Sequence, residues 1–259
     1  MKIYDTHTHY DDERYSPNYI ADVLDGNTSG FCAVGCNLER SRLSVGIAER
    51  YGQIAAVGIH PQDAPECNAE TKAELSKLAE NPVVKAIGEI GLDYHYDPPE
   101  GTTFDDMKAV QKQAFIAQLQ LAENIGLPLI VHSRDAMADT LEILYKFNRK
   151  PYTTVFHCFS GSAETATELH KHGILIGVGG TVTYKNAKNS ANAVRAIPLE
   201  YILLETDCPY LSPVPLRGTL NHSGNLSYVI EKIAEIKGIT VDEVVKTCND
   251  NAARFFKLA

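Results

Sequence analysis

The sequence predicts an α/β protein, a single (β/α)8 TIM barrel formed by one domain over residues 1–259. Apolar runs of strand length alternate with helical patterns along the whole chain, and eight such runs can be counted. Strictly alternating strands and helices form parallel sheets, and eight units in about 250 residues is the size of one barrel. No linker or low-complexity tract divides the chain, so one domain is expected.

The predicted strands are short, and several end in a polar residue. They cover residues 3–9, 31–36, 54–60, 83–90, 127–132, 153–157, 174–178 and 201–207. An open doubly wound sheet is the alternative, but it would need a glycine-rich nucleotide-binding turn after the first strand. The sequence at that place is His-Thr-His-Tyr-Asp-Asp, which favours the barrel.

The helices between these strands are marked by capping residues. A helix over Phe104–Ile125 would end at Gly126. Its apolar stripe is predicted to contain Met107, Val110, Ala114, Ala117 and Leu121. Further helix starts are predicted at Ser16, Ser162 and Thr240, because a hydroxyl at each can accept from the first helical turn.

Charge and hydropathy exclude several classes of protein. The formal net charge of −9 argues against a broad basic surface for duplex DNA. It is compatible with an enzyme that grips one or two phosphates through metal ions. No apolar run reaches the roughly eighteen residues that span a bilayer, and the first residues lack the apolar centre of a signal peptide. A cytoplasmic protein is therefore expected.

The cysteine pattern is typical of reduced, mostly buried thiols. The six cysteines contain no CxxC pair and no regular spacing, which is neither a zinc-finger pattern nor a disulfide framework. Cys158 and Cys208 directly follow His157 and Asp207. Strand alternation should turn these two thiols away from the side that their neighbours face.

Potential metal ligands end the predicted strands. Because strand side chains alternate with a period of two, His7 and His9 point the same way and can hold one ion. In such barrels the C-terminal strand ends converge on one mouth, where catalytic residues lie. The predicted metal ligands that meet there are His7, His9, Glu89, His132, His157 and Asp207. Imidazole and carboxylate together suit divalent ions such as Zn²⁺ or Mn²⁺.

The sequence resembles the TatD family of metal-dependent hydrolases over essentially its whole length. The matching motifs are Asp5-Thr6-His7-Thr8-His9, Gly58-Ile59-His60-Pro61, Gly88-Glu89-Ile90-Gly91-Leu92-Asp93-Tyr94, His132-Ser133-Arg134, His157-Cys158-Phe159-Ser160-Gly161 and Glu205-Thr206-Asp207-Cys208-Pro209-Tyr210-Leu211. The resemblance implies a two-metal deoxyribonuclease that trims strands from the 3′ end. DNA ends or short oligonucleotides would be its substrates. No obligate protein partner is expected, and the protein is expected to be a monomer.

The resemblance also implies a division of the ligands between two divalent ions, Zn²⁺, Mn²⁺ or Mg²⁺. His7, His9 and Asp207 would hold the first ion, His132 and His157 the second, and Glu89 would bridge them. Two positions depart from the family pattern. His222-Ser223 replaces Glu-Pro after Asn221, and Gln62 stands where many relatives carry a second histidine.

The chemistry can also be argued from the residues. Two cations roughly 3.5–4 Å apart can lower the pKa of a shared water and stabilise both oxygens of an in-line displacement at phosphorus. Asp207 would then be a catalytic residue that takes the proton of the water, and Glu89 one that sets the metal spacing. A metal-dependent amide or ester hydrolase would use the same cluster. A binding protein that has kept the metal site without turnover is a third class.

Three residues are predicted to contact substrate. Arg134 offers a planar fork for phosphate, although an ordinary salt bridge would explain it equally well. His60 ends the third strand without a place among the metal ligands, so a phosphate or leaving-group contact is predicted. Tyr94 and its neighbour Tyr96 could stack a terminal base or simply pack in the loop. Lys185, Lys188 and Arg217 follow the last two strands, where such barrels often bind phosphate.

Strand alternation yields one structural hypothesis. If Glu89 and Asp207 point into the barrel, Lys85 and Glu205 share their faces and would enter it too. Because an unpaired buried charge is costly, Lys85 and Glu205 are predicted to interact beneath the metals.

Overall fold

The structure, a computed structural model, describes residues 2–147 and 150–258. Its strands are β1 Ile3–Thr8, β2 Thr28–Val34, β3 Ile54–Val57, β4 Val84–Asp93, β5 Leu129–Arg134, β6 Thr154–Phe156, β7 Leu175–Val178 and β8 Ile202–Leu204. Neighbouring strands pair in parallel in the order of the chain from β1 to β8. Thr8 bridges Cys208 just after β8, so the sheet closes into the predicted (β/α)8 barrel.

Helices surround the strands on the outside. They are α1 Pro17–Asp25, α2 Leu38–Tyr51, α3 Ala69–Leu78, α4 Phe104–Ile125, α5 Met137–Leu144, α6 Ala163–Lys171, α7 Lys188–Ala196, α8 Leu226–Lys237 and α9 Val241–Phe256. Ser16, Ser162 and Thr240 cap α1, α6 and α9 as predicted, each accepting from a backbone N–H in the first turn. No helix among the described residues is long and apolar enough to cross a membrane.

The barrel interior is apolar at its N-terminal end. One buried cluster takes residues from each of β2 to β8, which only the inward faces of a barrel can bring together. Phe255 and Phe256, at the end of α9, belong to this cluster and are almost fully buried. Tyr4 of β1 packs against Phe256. Aromatic rings from the last helix therefore close the barrel at this end.

Helix α4 has the predicted bounds, but the prediction of its buried face is wrong. Of the predicted stripe only Ala114 is buried, and Val110 is exposed. Gln111 and Gln118 are buried instead. The Gln111 amide exchanges two hydrogen bonds with the backbone of Asp93 at 2.8 and 2.9 Å. Gln118 exchanges the same two hydrogen bonds with the backbone of Ile59. Both amides thus satisfy buried backbone groups near the ends of strands. A pattern of hydrophobic residues in the sequence does not predict these contacts.

The predicted contact between Lys85 and Glu205 is wrong. On β4, Ala86 belongs to the interior cluster and Ile87 to the cluster between sheet and helices, so alternation turns Lys85 outward. The β4–β5 register shifts between Ile87 and Ile90, which breaks the alternation on which the prediction depended. Lys85 forms no ion pair among the described residues.

All six cysteines lie among the described residues and are free, as predicted. Cys32, Cys208 and Cys248 are buried. Burial raises the pKa of the Cys158 thiol well above its usual range, which disfavours the thiolate that would act as a nucleophile or ligand.

Candidate metal centre

Six predicted ligands lie together at the C-terminal mouth of the barrel. The strands deliver them from one side of the sheet or from the residues that follow: β1 carries His7, β4 Glu89 and β5 His132, while His9, His157 and Asp207 follow β1, β6 and β8. His7, Glu89 and His157 are buried. The cluster opens into a cleft of about 1220 Å³.

Glu89 divides its two carboxylate oxygens between two groups of histidines. Its Oε2 lies 3.5 Å from His7 Nε2 and 3.9 Å from His9 Nε2. Its Oε1 lies 2.7 Å from His132 Nδ1 and 3.7 Å from His157 Nε2. Asp207 Oδ1 lies 3.3 Å from His9 Nε2 and 3.8 Å from His7 Nε2. Asp207 Oδ1 also lies 3.8 Å from His157 Nε2. The donors thus form two adjoining half-sites joined by Glu89, and Asp207 lies within reach of both.

Local backbone features bring these side chains inward. The β1–β2 register shifts between Asp5 and Thr8, and the β4 bulge lies at Glu89. The Asp207 backbone takes the left-handed conformation, with φ of 55°, and its N–H donates to the carbonyl of His7. The buried Asp5 carboxylate accepts from the backbone N–H groups of His7 and Thr206 at 3.3 and 3.0 Å. This carboxylate therefore joins the first strand to the segment that follows the last.

The second nitrogen of most of these histidines faces an acceptor. His9 Nδ1 donates to the carbonyl of Val34 at 2.9 Å. His132 Nε2 lies 3.3 Å from Asp93 Oδ2, and His157 Nδ1 lies 3.1 Å from Glu205 Oε1. Such outer acceptors fix the ring orientation of metal-binding histidines and raise their basicity.

These contacts fit a metal centre. Four groups of imidazole and carboxylate atoms are close enough for one ion: His7–His9–Glu89, Glu89–His132–His157, His60–Asp93–His132 and His7–His157–Glu205. A fifth group joins Cys158 to His157 and Asp207, so the prediction that this thiol turns away from their side is wrong. Nitrogen and oxygen donors of this kind suit Zn²⁺ and Mn²⁺. The first two groups match the half-sites that Glu89 joins.

The imidazoles and carboxylates of the cluster shift one another's pKa. Burial alone would lower the pKa of His9, but Asp207 and Glu89 outweigh it and raise that pKa to about 9. Glu205 and Glu89 likewise overcome burial at His157 and raise its pKa to about 10. Burial would raise the pKa of Glu89, yet His157 and His60 hold it well below its usual range. Ligands that bind a metal must lose such protons, so metal uptake would release them.

His60 lies in the cluster rather than on its rim. Its Nε2 is 3.7 Å from Glu89 Oε1, and burial lowers its pKa to about 4. The backbone N–H of Gln62 donates to His60 Nδ1 at 3.2 Å. An imidazole that accepts at Nδ1 carries its proton on Nε2, so His60 offers a neutral N–H donor beside Glu89.

The structure brings Arg134 to the cleft but not Tyr94. The Tyr94 hydroxyl donates to Asp139 at 2.8 Å, and its ring packs on Phe104, away from the cleft lining. The neighbouring Tyr96 lines the cleft instead. The loop after β4 turns between Tyr94 and Tyr96. The alternation of side chains along a strand therefore does not predict which of the two faces the cleft.

Sequence reasoning missed several polar residues of the centre. Asp93 and Glu205 face the outer nitrogens of His132 and His157, and both lie inside motifs already noted for the resemblance. Glu205 also accepts from the backbone N–H of Cys158 at 2.5 Å. A Cβ at Gly177 would overlap the Glu205 carboxylate, so glycine is required where β7 passes it. Asp11 lines the cleft and pairs with Arg40 at 3.2 Å.

The remaining candidates line the cleft or lie beside it. Lys188 and Gln62 line it, whereas Arg217 lies with its guanidinium 4.3 Å from the Tyr184 ring. At the departure from the family pattern, His222 Nδ1 accepts from the backbone N–H of Gly224 at 3.2 Å. This imidazole therefore caps a turn.

Comparison with known proteins gives concordant matches. The family model for TatD related DNase matches residues 4–257. The uncharacterized metal-dependent hydrolase YabD of Bacillus subtilis (strain 168) is 37% identical over 261 residues, covering 99% of both chains. The 3′-5′ ssDNA/RNA exonuclease TatD of Escherichia coli (strain K12) is 31% identical over 93% of this chain and 92% of its own. The crystal structure of YjjV, a TatD homolog from Escherichia coli K12, superposes with a TM-score of 0.89 at 28% identity, covering 99% of this chain and 98% of that one.

Proposed function

The chain belongs to the TatD family of metal-dependent hydrolases, and we propose that it hydrolyses phosphodiester bonds of DNA, removing nucleotides from the 3′ end of a strand. The observation that carries the proposal is the division of the Glu89 oxygens between two half-sites. A bridged pair of cations suits in-line displacement at phosphorus. The exonuclease name of the Escherichia coli relative supports a nucleic-acid substrate.

The proposed centre holds two divalent cations, Zn²⁺, Mn²⁺ or Mg²⁺. His7, His9, Asp207 and Glu89 Oε2 would hold one, and His132, His157 and Glu89 Oε1 the other. When bound, the cations would lower the pKa of water and stabilise the charge that develops on the attacking and leaving oxygens.

The proposed catalytic roles belong to two carboxylates. Asp207 accepts the proton of the attacking water at its carboxylate, because it lies at the mouth and stays ionised. Burial would raise the pKa of Asp207, but His157 and His9 hold it below its usual value. Glu89 keeps the two half-sites together and needs no proton of its own.

Substrate contacts are proposed for His60 and Arg134. The neutral His60 would donate a hydrogen bond from its Nε2–H to a phosphate or leaving-group oxygen. The Arg134 guanidinium lines the cleft and has no carboxylate partner among the described residues, so its charge is available for a phosphate. Tyr94 is not included, since its hydroxyl and ring are engaged elsewhere.

The test compares substrates of different chemistry. Metal-loaded protein is incubated with a single strand labelled at its 3′ end, the same strand labelled at its 5′ end, and a panel of amides and esters. The expected result is immediate release of a labelled mononucleotide from the first strand and a shortening ladder from the second. Release from amides with none from any DNA strand would overturn the proposal in favour of an amidohydrolase. Chelator-treated protein is the control. A monomeric state and a cytoplasmic location stay predictions.

A further inference from the structure

Two exposed tyrosines stand on opposite sides of the cleft. Tyr96 and Tyr210 both line it, and their side chains are 50% and 51% exposed. Tyr96 follows β4 and Tyr210 follows β8. In a closed barrel of eight strands in sequential order, the fourth and eighth strands lie across the axis from each other. The metal centre lies between the two rings.

An arginine supports each of these rings. The Arg134 guanidinium lies 5.3 Å from the centre of the Tyr96 ring and donates to its hydroxyl at 3.2 Å. The Arg14 guanidinium lies 5.0 Å from the centre of the Tyr210 ring. Asp12 holds Arg14 through two hydrogen bonds of 2.7 and 2.9 Å. Each tyrosine is thus oriented from one side while half of its surface remains open to solvent.

An exposed aromatic ring that lines a cleft is available for stacking. A tyrosine face offers a base about 1–3 kcal/mol of stacking, whatever the identity of the base. Two such faces, with a phosphate-binding centre between them, match a strand whose bases alternate with phosphates. We propose that Tyr96 and Tyr210 are base-stacking positions for single-stranded nucleic acid, one on each side of the scissile phosphate. This inference rests on the proposed function.

Charge and geometry favour a single strand over a duplex. The bases of a duplex are stacked on one another, so they cannot reach a tyrosine face without being unpaired. The net charge of −9 argues against a broad basic surface for two phosphate backbones. Asp12 neutralises Arg14, whereas Arg134 has no ion pair among the described residues. The cleft therefore offers two cationic side chains that form no ion pair among the described residues, Arg134 and Lys188, together with two stacking faces, as a flexible single strand requires.

The test combines protein variants with altered substrates. Tyr96→Ala and Tyr210→Ala are compared with Tyr96→Phe and Tyr210→Phe on a metal-loaded enzyme and a single-stranded oligonucleotide. We expect each alanine variant to raise KM about tenfold to a hundredfold, with the loss confined to KM, because only stacking is removed. The phenylalanine variants should restore a KM near that of the wild type.

Abasic substrates identify the base that each ring contacts. The oligonucleotide is made with one base missing on the 3′ side or on the 5′ side of the scissile phosphate. Wild-type KM should rise on each abasic strand, and each alanine variant should show no further rise on the one strand that lacks its partner base. Tyr145→Ala is the matched control, because Tyr145 is 43% exposed after α5 and contacts His172 outside the cleft.

The outcomes separate the inference from the proposed function. If the wild type shortens oligonucleotides while both alanine variants keep its KM, the stacking positions are overturned and the proposed function stands. Equal losses in Tyr145→Ala would overturn them as well. A wild type that cleaves no oligonucleotide in any metal overturns both.

Discussion

The two ends of the barrel are built from the same strands and differ completely in content. At the N-terminal end, aliphatic side chains from seven strands pack against Phe255 and Phe256 of α9. At the C-terminal mouth, the strands deliver imidazoles and carboxylates whose polar atoms lie 2.7–3.9 Å apart. One end gains stability from apolar burial, whereas the other gathers charges that water or cations must balance.

We therefore expect stability and chemistry to be separable along the barrel axis. Removing a ring from the apolar end should cost folding free energy and leave the chemistry of surviving molecules intact. Removing a carboxylate from the mouth should do the opposite.

The largest expected effect is on activity, at the mouth. Asp207→Asn keeps the shape of the side chain but removes the base, so kcat should fall about 10²–10⁴-fold. Thermal unfolding of the metal-free protein should change little, because no packed group is lost. Asp250→Asn, at an exposed position of α9, is the control. Full activity in Asp207→Asn would refute the assigned role.

The next effect is on stability, at the opposite end. Phe256→Ala should lower the free energy of unfolding by about 3–5 kcal/mol, because a fully buried ring is removed and leaves a cavity. Phe104→Ala, at a ring that is 38% exposed, should cost less than about 1 kcal/mol. Urea denaturation measures both. If kcat per folded molecule falls in Phe256→Ala, the two ends of the barrel are not independent.

A smaller effect is expected behind the proposed metal ligands. Glu205→Gln retains an acceptor for the Cys158 N–H but loses the charge that faces His157 Nδ1. Metal affinity should fall about 10–100-fold, as removal of outer acceptors does elsewhere. Competition with a chelator measures the metal affinity. Glu200→Gln, at an exposed position just before β8, is the control. Unchanged affinity would mean that Glu205 only supports the backbone.

Much of the fold follows from the sequence because its signals are local. The bounds of α4, the caps Ser162 and Thr240, and the barrel class all depend on spacing that neighbouring residues determine. The convergence of His7 and Asp207, 200 positions apart, follows once eight parallel strands are counted, since their C-terminal ends must meet.

The rest depends on backbone irregularities that leave no pattern. The bulge in β4 reversed the inward direction expected of Lys85, and the turn after Asp93 exchanged Tyr94 for Tyr96 in the cleft. A hydrophobic pattern places amides such as Gln111 on the surface, although this one is buried and bonded to the backbone at the end of β4. Outer carboxylates such as Glu205 are identified only once the ring they face is in place.

Glu89 is proposed to join two metal half-sites, and anomalous diffraction from crystals of the Zn²⁺-loaded protein can locate the ions on either side of it. Two peaks are predicted, one at about 2.0–2.2 Å from the nitrogens of His7 and His9 and one at the same distance from those of His132 and His157. One Glu89 oxygen should contact each ion. A single peak, or two peaks that share no Glu89 oxygen, would contradict the account.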